Sequence, residues 1–517
     1  MNYASLRVAA DAGVAMFRIR DSDLSQLEKH IFKRYPSREW GTFFRFGFRR
    51  TKWGIAIYFI EGIWPEPGDL DRQSGMTKFH ENYSRRAFHE SGNHEGLAVG
   101  VIHSHPVDCP VRPSDLDDDM DSYFASEMTA FSGGRPYCSL IFERSAEGLS
   151  FSGRIYDRGV WLPVESLISV GPHVSRWRSQ LLPDMSCLDT LLTESPTARL
   201  QSVMGPESKQ RLRDAVVGVI GNSGTGSPAI EVLARAGVGK FILVDPQRFA
   251  PSNLERMHGS EWQHAELAES PFKVALMRNL ILSINPTAEV TSLVGNVLNT
   301  NVIDELVRCD YVLGCMDTVH GRVALDELSR HHLVPVLDVG VKMSGGSGLV
   351  SEQLVNLSTY RAGLACAYCR GNVNSQEMSY ELMSEDERRA MHEQAVLAAE
   401  GGIDQDQYWK GRPRQLHTVG YLTTMAGAMA AGYVEGALTG CFEIPQSEMQ
   451  YDMGRANFGF VAPPISVREG CQCQSYLGWG DAAAPFKNVA IPAHWSRRAI
   501  ELAEPAGFTE VRTRESA

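Results

Sequence analysis

A chain of 517 residues exceeds what one hydrophobic core usually organises, so its length predicts two or more domains. With 43% hydrophobic and 22% charged residues the composition is that of a globular protein, no apolar run is long enough to cross a bilayer, and a formal net charge of -12 argues against a general nucleic-acid binder. The opening MNYASLRVAADAGVAMFRIR lacks the basic start, apolar block and cleavage site of a secretory signal, which predicts a cytoplasmic protein whose ten cysteines serve as thiols and metal ligands rather than disulfides.

Apolar runs at 53–63 (WGIAIYFIEGI), 95–105 (EGLAVGVIHSH), 137–143 and 149–156, separated by Gly, Pro and polar clusters, predict a mixed sheet and a first domain over 1–165. The second of these runs ends in His103-Ser104-His105-Pro106. Alternate side chains of a strand share a face, so His103 and His105 project together, as two imidazole ligands of one metal must. A catalytic zinc takes three protein ligands and keeps a fourth position open, and Asp117, in the acidic cluster beyond the turn, supplies a third. Two surface histidines at a strand end are the alternative.

His103-Ser104-His105-Pro106 followed by Ser114-Asp115-Leu116-Asp117 resembles the motif of the JAB/MPN metalloproteases, the JAMM isopeptidases. The resemblance implies a cytidine-deaminase-like α/β domain, zinc held by His103, His105 and Asp117, Ser114 at the oxyanion and an upstream glutamate as general base. Eight residues separate His105 from Ser114 where the family has about seven, which leaves Asp118 as a second choice for the third ligand. The base is expected at Glu39, in Arg38-Glu39-Trp40-Gly41-Thr42-Phe43-Phe44-Arg45-Phe46-Gly47, with Glu61 as the alternative.

Residues 166–200, with prolines and no long periodic pattern, read as a connector. From 201 the chain alternates strand, Gly-rich turn and helix (DAVVGVI, GNSGTGS, PAIEVLARAG, KFILVD), then AEVTSLV, DYVLGCMD and VPVLDVGV, which predicts a parallel sheet with crossover helices over 201–480. The last residues, 481–517, read as a loosely structured tail.

Gly221-Asn222-Ser223-Gly224-Thr225-Gly226 succeeds a strand and opens a helix, where backbone amides approach phosphates. Asp245 ends the next strand, the place of a ribose-binding carboxylate, so a nicotinamide-dependent oxidoreductase is one reading. The charges further along, Arg256, Lys273 and Asp317, fit a triphosphate with magnesium better, because hydride transfer has no evident use for them. Here the sequence resembles the ThiF/MoeB/HesA group and the ubiquitin-activating adenylation domains over about 205–480. That resemblance implies a Rossmann-like domain with Asp245 on the ribose, Asn253, Arg256 and Lys273 on the phosphates and Asp317 on Mg2+. Arg199 aligns with an arginine that reaches the partner's ATP in homodimeric relatives.

Cys366-Ala367-Tyr368-Cys369 and Cys471-Gln472-Cys473 together can close a tetrahedral sulfur shell around a structural Zn2+, matching the family's zinc knot except that the second pair is CxC rather than CxxC. Between Cys369 and Cys441 there is no cysteine to carry a thioester, and Cys441 comes after a small-residue helix that reads as packed core. The enzyme therefore stops at the acyl-adenylate, or an oxyester forms on a hydroxyl such as Ser375, Ser379 or Thr418, for which the sequence offers no base.

Both resemblances converge on the C-terminal glycine of a ubiquitin-like protein, one domain hydrolysing a bond after it and the other adenylating its carboxylate. They imply a cytoplasmic, bacterial-type, homodimeric bifunctional enzyme using ATP, Mg2+ and two Zn2+. Its expected partners are a ubiquitin-like or sulfur-carrier protein and a conjugating-enzyme-like protein, with no nucleic acid or membrane, in a conjugation pathway such as antiphage defence or in sulfur-carrier activation. The remaining alternative is a scaffold with one inactive half.

Overall fold

The structure is a computed structural model that describes residues 13–182, 195–400, 418–442 and 448–502, apart from 37, 72–77, 93, 95, 108, 146–147, 347–348, 455–458, 462–464 and 484–498. The chain divides into two compact units: Met1–Leu192 with Arg330–Leu333 and Gln472–Asn488, and Thr193–Ser329 with Val334–Cys471 and Val489–Ala517.

The first unit is built on strands β1 (Val14–Arg20), β2 (Gly41–Thr51), β3 (Gly54–Ile63), β6 (Ala98–Ser104), β7 (Tyr137–Ser145), β8 (Gly148–Asp157), β9 (Val160–Val170) and β10 (Val174–Arg178), with β4 (Leu70–Asp71) and β5 (Lys78–Phe79) as a separate small pair. The order is β1-β3-β2-β6-β7-β8-β9-β10, and because β1 also pairs with β9 the sheet closes on itself. Inside lies an aromatic core in which Phe17, Phe43, Phe44, Phe46, Phe142 and Phe151 are fully buried. β6 is buried along its whole length, antiparallel to β2 and parallel to β7, and so carries His103 and its successor into the interior. Gly41 is paired with His103, and a methyl group there would lie 2.8 Å from the His103 Cβ, so the glycine makes room for the imidazole.

The sheet continues where a connector was expected. β9 runs to Val170 and β10 turns back antiparallel to it, so 166–178 belong to the first unit. VSRWR is an edge strand with half-exposed polar positions, and edge strands lack the apolar run by which the other strands are read.

In the second unit β11 (Val216–Ile220), β12 (Lys240–Val244), β13 (Glu289–Val294), β14 (Tyr311–Gly314) and β15 (Val336–Gly346) pair in parallel in the order β13-β12-β11-β14-β15. β16 (Leu349–Tyr360), β17 (Glu448–Asp452) and β18 (Gly459–Val461) extend the sheet antiparallel beyond β15. The strand order reverses direction between β11 and β14, and a crevice outside the carboxyl ends of strands at such a switch point is where open α/β sheets bind ligands. The expected loose tail supplies β19 (Ile500–Glu501), an antiparallel edge partner of β13, anchored by Ala499 N donating to Asn301 Oδ1 and Arg278 donating to the Leu502 carbonyl. A two-residue strand has no periodicity to read. The rest of that tail, 484–498 and 503–517, lies outside the described residues. No described helix is long and apolar enough to cross a membrane.

Candidate functional site: a ligand cluster and a nucleotide-type cavity

In the first unit the end of β6 and the start of the helix Asp115–Ser132 bring His103, His105 and Asp117 together, with one ligand atom from each within 4.8 Å of the others. His103 Nε2 lies 3.2 Å from Asp117 Oδ1, and His105 Nε2 lies 3.7 Å from Asp117 Oδ2 and 4.0 Å from Glu39 Oε1. Ser114 caps the helix: its backbone N–H and its hydroxyl both donate to Asp117 Oδ2, at 2.7 and 2.6 Å, which fixes the carboxylate. His105 Nδ1 is 2.8 Å from the Pro110 carbonyl, so Nδ1 carries the proton and Nε2 presents its lone pair to the cluster.

Asp118 is committed elsewhere, to Arg154, which also holds the buried Asp121. The extra residue before Ser114 therefore leaves Asp117, not Asp118, at the histidines. Of the two glutamates, Glu39 stands at the cluster, whereas Glu61 is exposed on β3 and pairs with Arg45 across the ladder.

Burial disfavours a charged Asp117, but contact with the two imidazoles and Ser114 outweighs it and holds the carboxyl far below the usual range. At His105 burial is likewise outweighed, by Asp117, Pro110 and Glu39, and the imidazole pKa is pushed up. Both nitrogens of His103 are buried and make no hydrogen bond among the described residues. A buried imidazole at ion-pair distance from an anionic carboxylate, beside a second imidazole whose far nitrogen is tied to a carbonyl, is a donor set that suits a zinc ion.

In the second unit a cavity of ≈ 270 Å³ opens beyond the carboxyl ends of β11, β12 and β14. Its floor is the glycine turn. Gly221 has φ +86°, and a Cβ there would lie 2.4 Å from the Cys315 carbonyl; one on Gly226 would lie 2.0 Å from the Gly221 carbonyl. Only glycine lets this turn pack so closely onto β14 and enter the helix Gly226–Ala236. Asp245 is almost fully buried and accepts from the backbone N–H of Asn222 and Gln247, each at 2.8 Å. Burial raises its pKa against the pull of Lys273. Lys273 opens the helix Lys273–Ile284, and its Nζ donates to Gln247 Oε1 at 2.6 Å. Lys273, Arg256, Gly224 and Asp317 line the cavity with Asp245. The Ser223 hydroxyl, also in the lining, is a buried oxygen with no hydrogen-bond partner among the described residues.

Some expected residues stand apart. Asn253 is buried and its Oδ1 accepts from Ala250 N at 2.9 Å, capping the turn Pro251–Asn253, and it does not line the cavity; Arg199 is exposed on the helix Ala198–Met204 and is also outside it. Ser375 and Ser379 lie exposed on the helix Ser375–Leu382, while Thr418 is in the lining. Cys441 is exposed rather than packed in a core, because it lies past the end of the helix Gly420–Thr439 instead of closing its buried face. Cys315 does line the cavity, but burial pushes its thiol up to about 12, so it stays protonated at neutral pH. Sequence reasoning passed over His320, another lining residue, whose Nδ1 pairs with Glu381 Oε2 at 2.7 Å. That pairing spans sixty-one residues and leaves no local pattern.

Within the second unit the thiols of Cys366, Cys369 and Cys471 lie within 4.8 Å of one another, and the fourth expected ligand, Cys473, belongs to the first unit. Cys366 Sγ and Cys471 Sγ are 3.8 Å apart, which matches the roughly 3.8 Å edge of a tetrahedron with zinc–sulfur bonds of about 2.3 Å.

The 3-2-1-4-5 strand order with a glycine turn and an acidic residue ending the second strand defines a Rossmann-like α/β fold. More particularly, residues 195–473, over half of the chain, match the model of the ThiF family, and the chain belongs to that family. It is 32% identical over 136 residues to the SAMP-activating enzyme E1 of Haloferax volcanii, covering 26% of this chain and 48% of that protein. It is 32% identical over 145 residues to the tRNA threonylcarbamoyladenosine dehydratase of Escherichia coli (28% and 52%) and 29% identical over 163 residues to the molybdopterin-synthase adenylyltransferase of Salmonella typhimurium (32% and 61%). The chain thus spans about half the length of these curated relatives.

Proposed function

We propose that the chain is an ATP-dependent adenylyltransferase acting on the C-terminal glycine of a ubiquitin-like or sulfur-carrier protein, with a zinc-dependent isopeptidase or precursor-processing site of the JAB/MPN type in its first unit. The observation that carries the first half is the gathering of Arg256, Lys273, Asp245 and Asp317 on one cavity at the strand switch point. Asp245 takes the ribose hydroxyls, and the N–H groups of the glycine turn and the helix it opens receive phosphate oxygens. Arg256 and Lys273 neutralise charge that builds on the phosphates as the carboxylate attacks the α-phosphorus and pyrophosphate leaves, and Asp317 would hold Mg2+, which supplies further charge neutralisation when bound. Two of the relatives are named as activating or adenylating enzymes, which supports this reading.

In the first unit His103, His105 and Asp117 would hold zinc, which supplies Lewis-acid polarisation of a carbonyl when bound. Glu39 is placed to move a proton beside that cluster, and the Asp117–Ser114 pairing holds the carboxylate in place. Cys366, Cys369, Cys471 and Cys473 would hold a second, structural zinc. The protein works as a homodimer in the cytoplasm on this reading, and a conjugating-enzyme-like partner receives the activated chain. The relative that adenylates for molybdopterin synthase favours sulfur-carrier activation as the second pathway, with the same carboxylate chemistry.

The test is exchange of labelled pyrophosphate into ATP in the presence of ubiquitin-like proteins ending in glycine, run beside hydrolysis of carrier precursors extended past that glycine. Asp317→Ala should abolish exchange and spare hydrolysis, and His103→Ala should do the reverse. Loss of both activities in either variant would contradict two separate sites.

A further inference from the structure

His320 is buried, lines the nucleotide-type cavity and stands on the first turn of the helix Val319–His331. Its Nδ1 lies 2.7 Å from Glu381 Oε2, and the same carboxylate accepts from the backbone N–H groups of Val319 and His320, at 2.9 and 3.0 Å. Burial favours a protonated Glu381, but these contacts outweigh it and hold its pKa below the ordinary value. A carboxylate anion on Nδ1 settles the tautomer: Nδ1 carries the proton and Nε2 is an acceptor.

Asn296 lines the same cavity, in the loop that succeeds β13. Its Oδ1 accepts from Leu298 N at 3.0 Å, so its Nδ2 is the end turned towards His320, 3.5 Å from Nε2. The loop is held in place. The Asn296 backbone N–H donates to Asn299 Oδ1 at 2.7 Å, and a Cβ on Gly295 would lie 2.8 Å from that oxygen. A separation of 3.5 Å is the outer limit of a hydrogen bond, so a nearer donor displaces the amide from the Nε2 lone pair. An acceptor therefore stands beside a donor in one wall of the cavity, with the apolar Val297 and Met316 in the same lining.

Strand order decides which part of a nucleotide meets this pair. Phosphates belong at the glycine turn past β11 and the ribose at Asp245, which ends β12. The base then extends towards the next strand of the order, β13, whose loop carries Asn296. An acceptor beside a donor matches adenine, whose N6 amine adjoins ring nitrogens that accept, whereas guanine places the acceptor O6 where adenine has the amine. We propose that His320 and Asn296 select the base: His320 Nε2 accepts from the adenine N6 amine, Asn296 Nδ2 donates to an adjoining ring nitrogen, and Glu381 positions His320. This rests on the nucleotide-binding part of the proposed function.

Base selection can be read from binding alone, without a carrier protein. The full chain is titrated calorimetrically with the magnesium complexes of ATP, GTP and purine riboside triphosphate, which has hydrogen in place of the N6 amine. The wild type should bind ATP roughly 10-fold tighter than the purine riboside and roughly 10- to 100-fold tighter than GTP, the scale of one buried hydrogen bond and of one read base edge. In His320→Ala the preference for ATP over the purine riboside should fall to within about twofold of unity. Glu381→Gln, which lets the ring carry its proton on Nε2, should narrow the ratio of ATP to GTP affinity. A preference for the N6 amine that survives His320→Ala, or equal weakening of all three ligands in that variant, would overturn the assignment. A wild type that binds all three alike would overturn it too and leave the nucleotide reading standing, whereas one that binds none would remove that reading itself.

Discussion

In the first unit three ligand-type side chains converge on one point, buried and already oriented by a helix cap and a carbonyl, whereas in the second unit charged side chains stand around the walls of a cavity. On the proposed reading the difference reflects what each would hold. A metal ion is a point and needs donors a few ångströms apart, so strand alternation and one capped helix suffice to build its site. A nucleoside triphosphate is extended, and a site for it would draw on several elements, as the cavity at the ends of β11, β12 and β14 and the helices after them does. Buried charge differs as well. Asp121 in the first unit is tied to Arg154 and Tyr137, while Glu435 in the second is shifted by burial alone.

The largest effect that sharpens this contrast is expected at Lys273. Lys273→Ala removes the buried cation of the cavity and should lower kcat/KM for pyrophosphate exchange by roughly 10²–10³-fold, the usual cost of one transition-state charge contact, with zinc content unchanged. A fall of less than about threefold would remove Lys273 from the phosphates.

Glu435 comes next. Burial pushes its pKa up to about 7 from 4.5, so the folded protein holds this proton more tightly than the unfolded chain. The stability it contributes is present below about pH 4.5 and is lost as pH rises through about 7, on the order of 3 kcal/mol in all. Denaturant unfolding of Glu435→Gln against wild type should show the variant gaining in relative stability over that window; parallel pH profiles would mean that the carboxyl finds a partner.

The smallest effect is expected at Ser114. Ser114→Ala leaves His103, His105 and Asp117 in place and keeps the backbone N–H bond to Asp117 but removes the hydroxyl bond that also holds its carboxylate, and zinc affinity measured by chelator competition should fall roughly 10-fold. An unchanged affinity would show that the cluster is not oriented through its helix cap.

The first cluster was legible because it is local: the two histidines alternate on one strand, and Ser114 and Asp117 carry the spacing of a capping box. The glycine turn and Asp245 were legible for the same reason, each marking the carboxyl end of a strand. Asn253 illustrates the limit, because its position in the chain order suited a phosphate ligand while its side chain closes its own turn. β10 and β19 were missed as edge strands without an apolar run. The His320–Glu381 pairing at the cavity joins residues sixty-one positions apart, and nothing in the local pattern of either announces it.

The claim that one chain carries both a metal-type and a nucleotide-type site is tested most directly by zinc counted per chain, by plasma mass spectrometry, in wild type, His103→Ala and Cys366→Ser. Two zinc ions in the wild type, falling to one in each variant, are predicted. A single zinc in the wild type that survives His103→Ala and disappears in Cys366→Ser would contradict the account, leaving the first unit a metal-free fold.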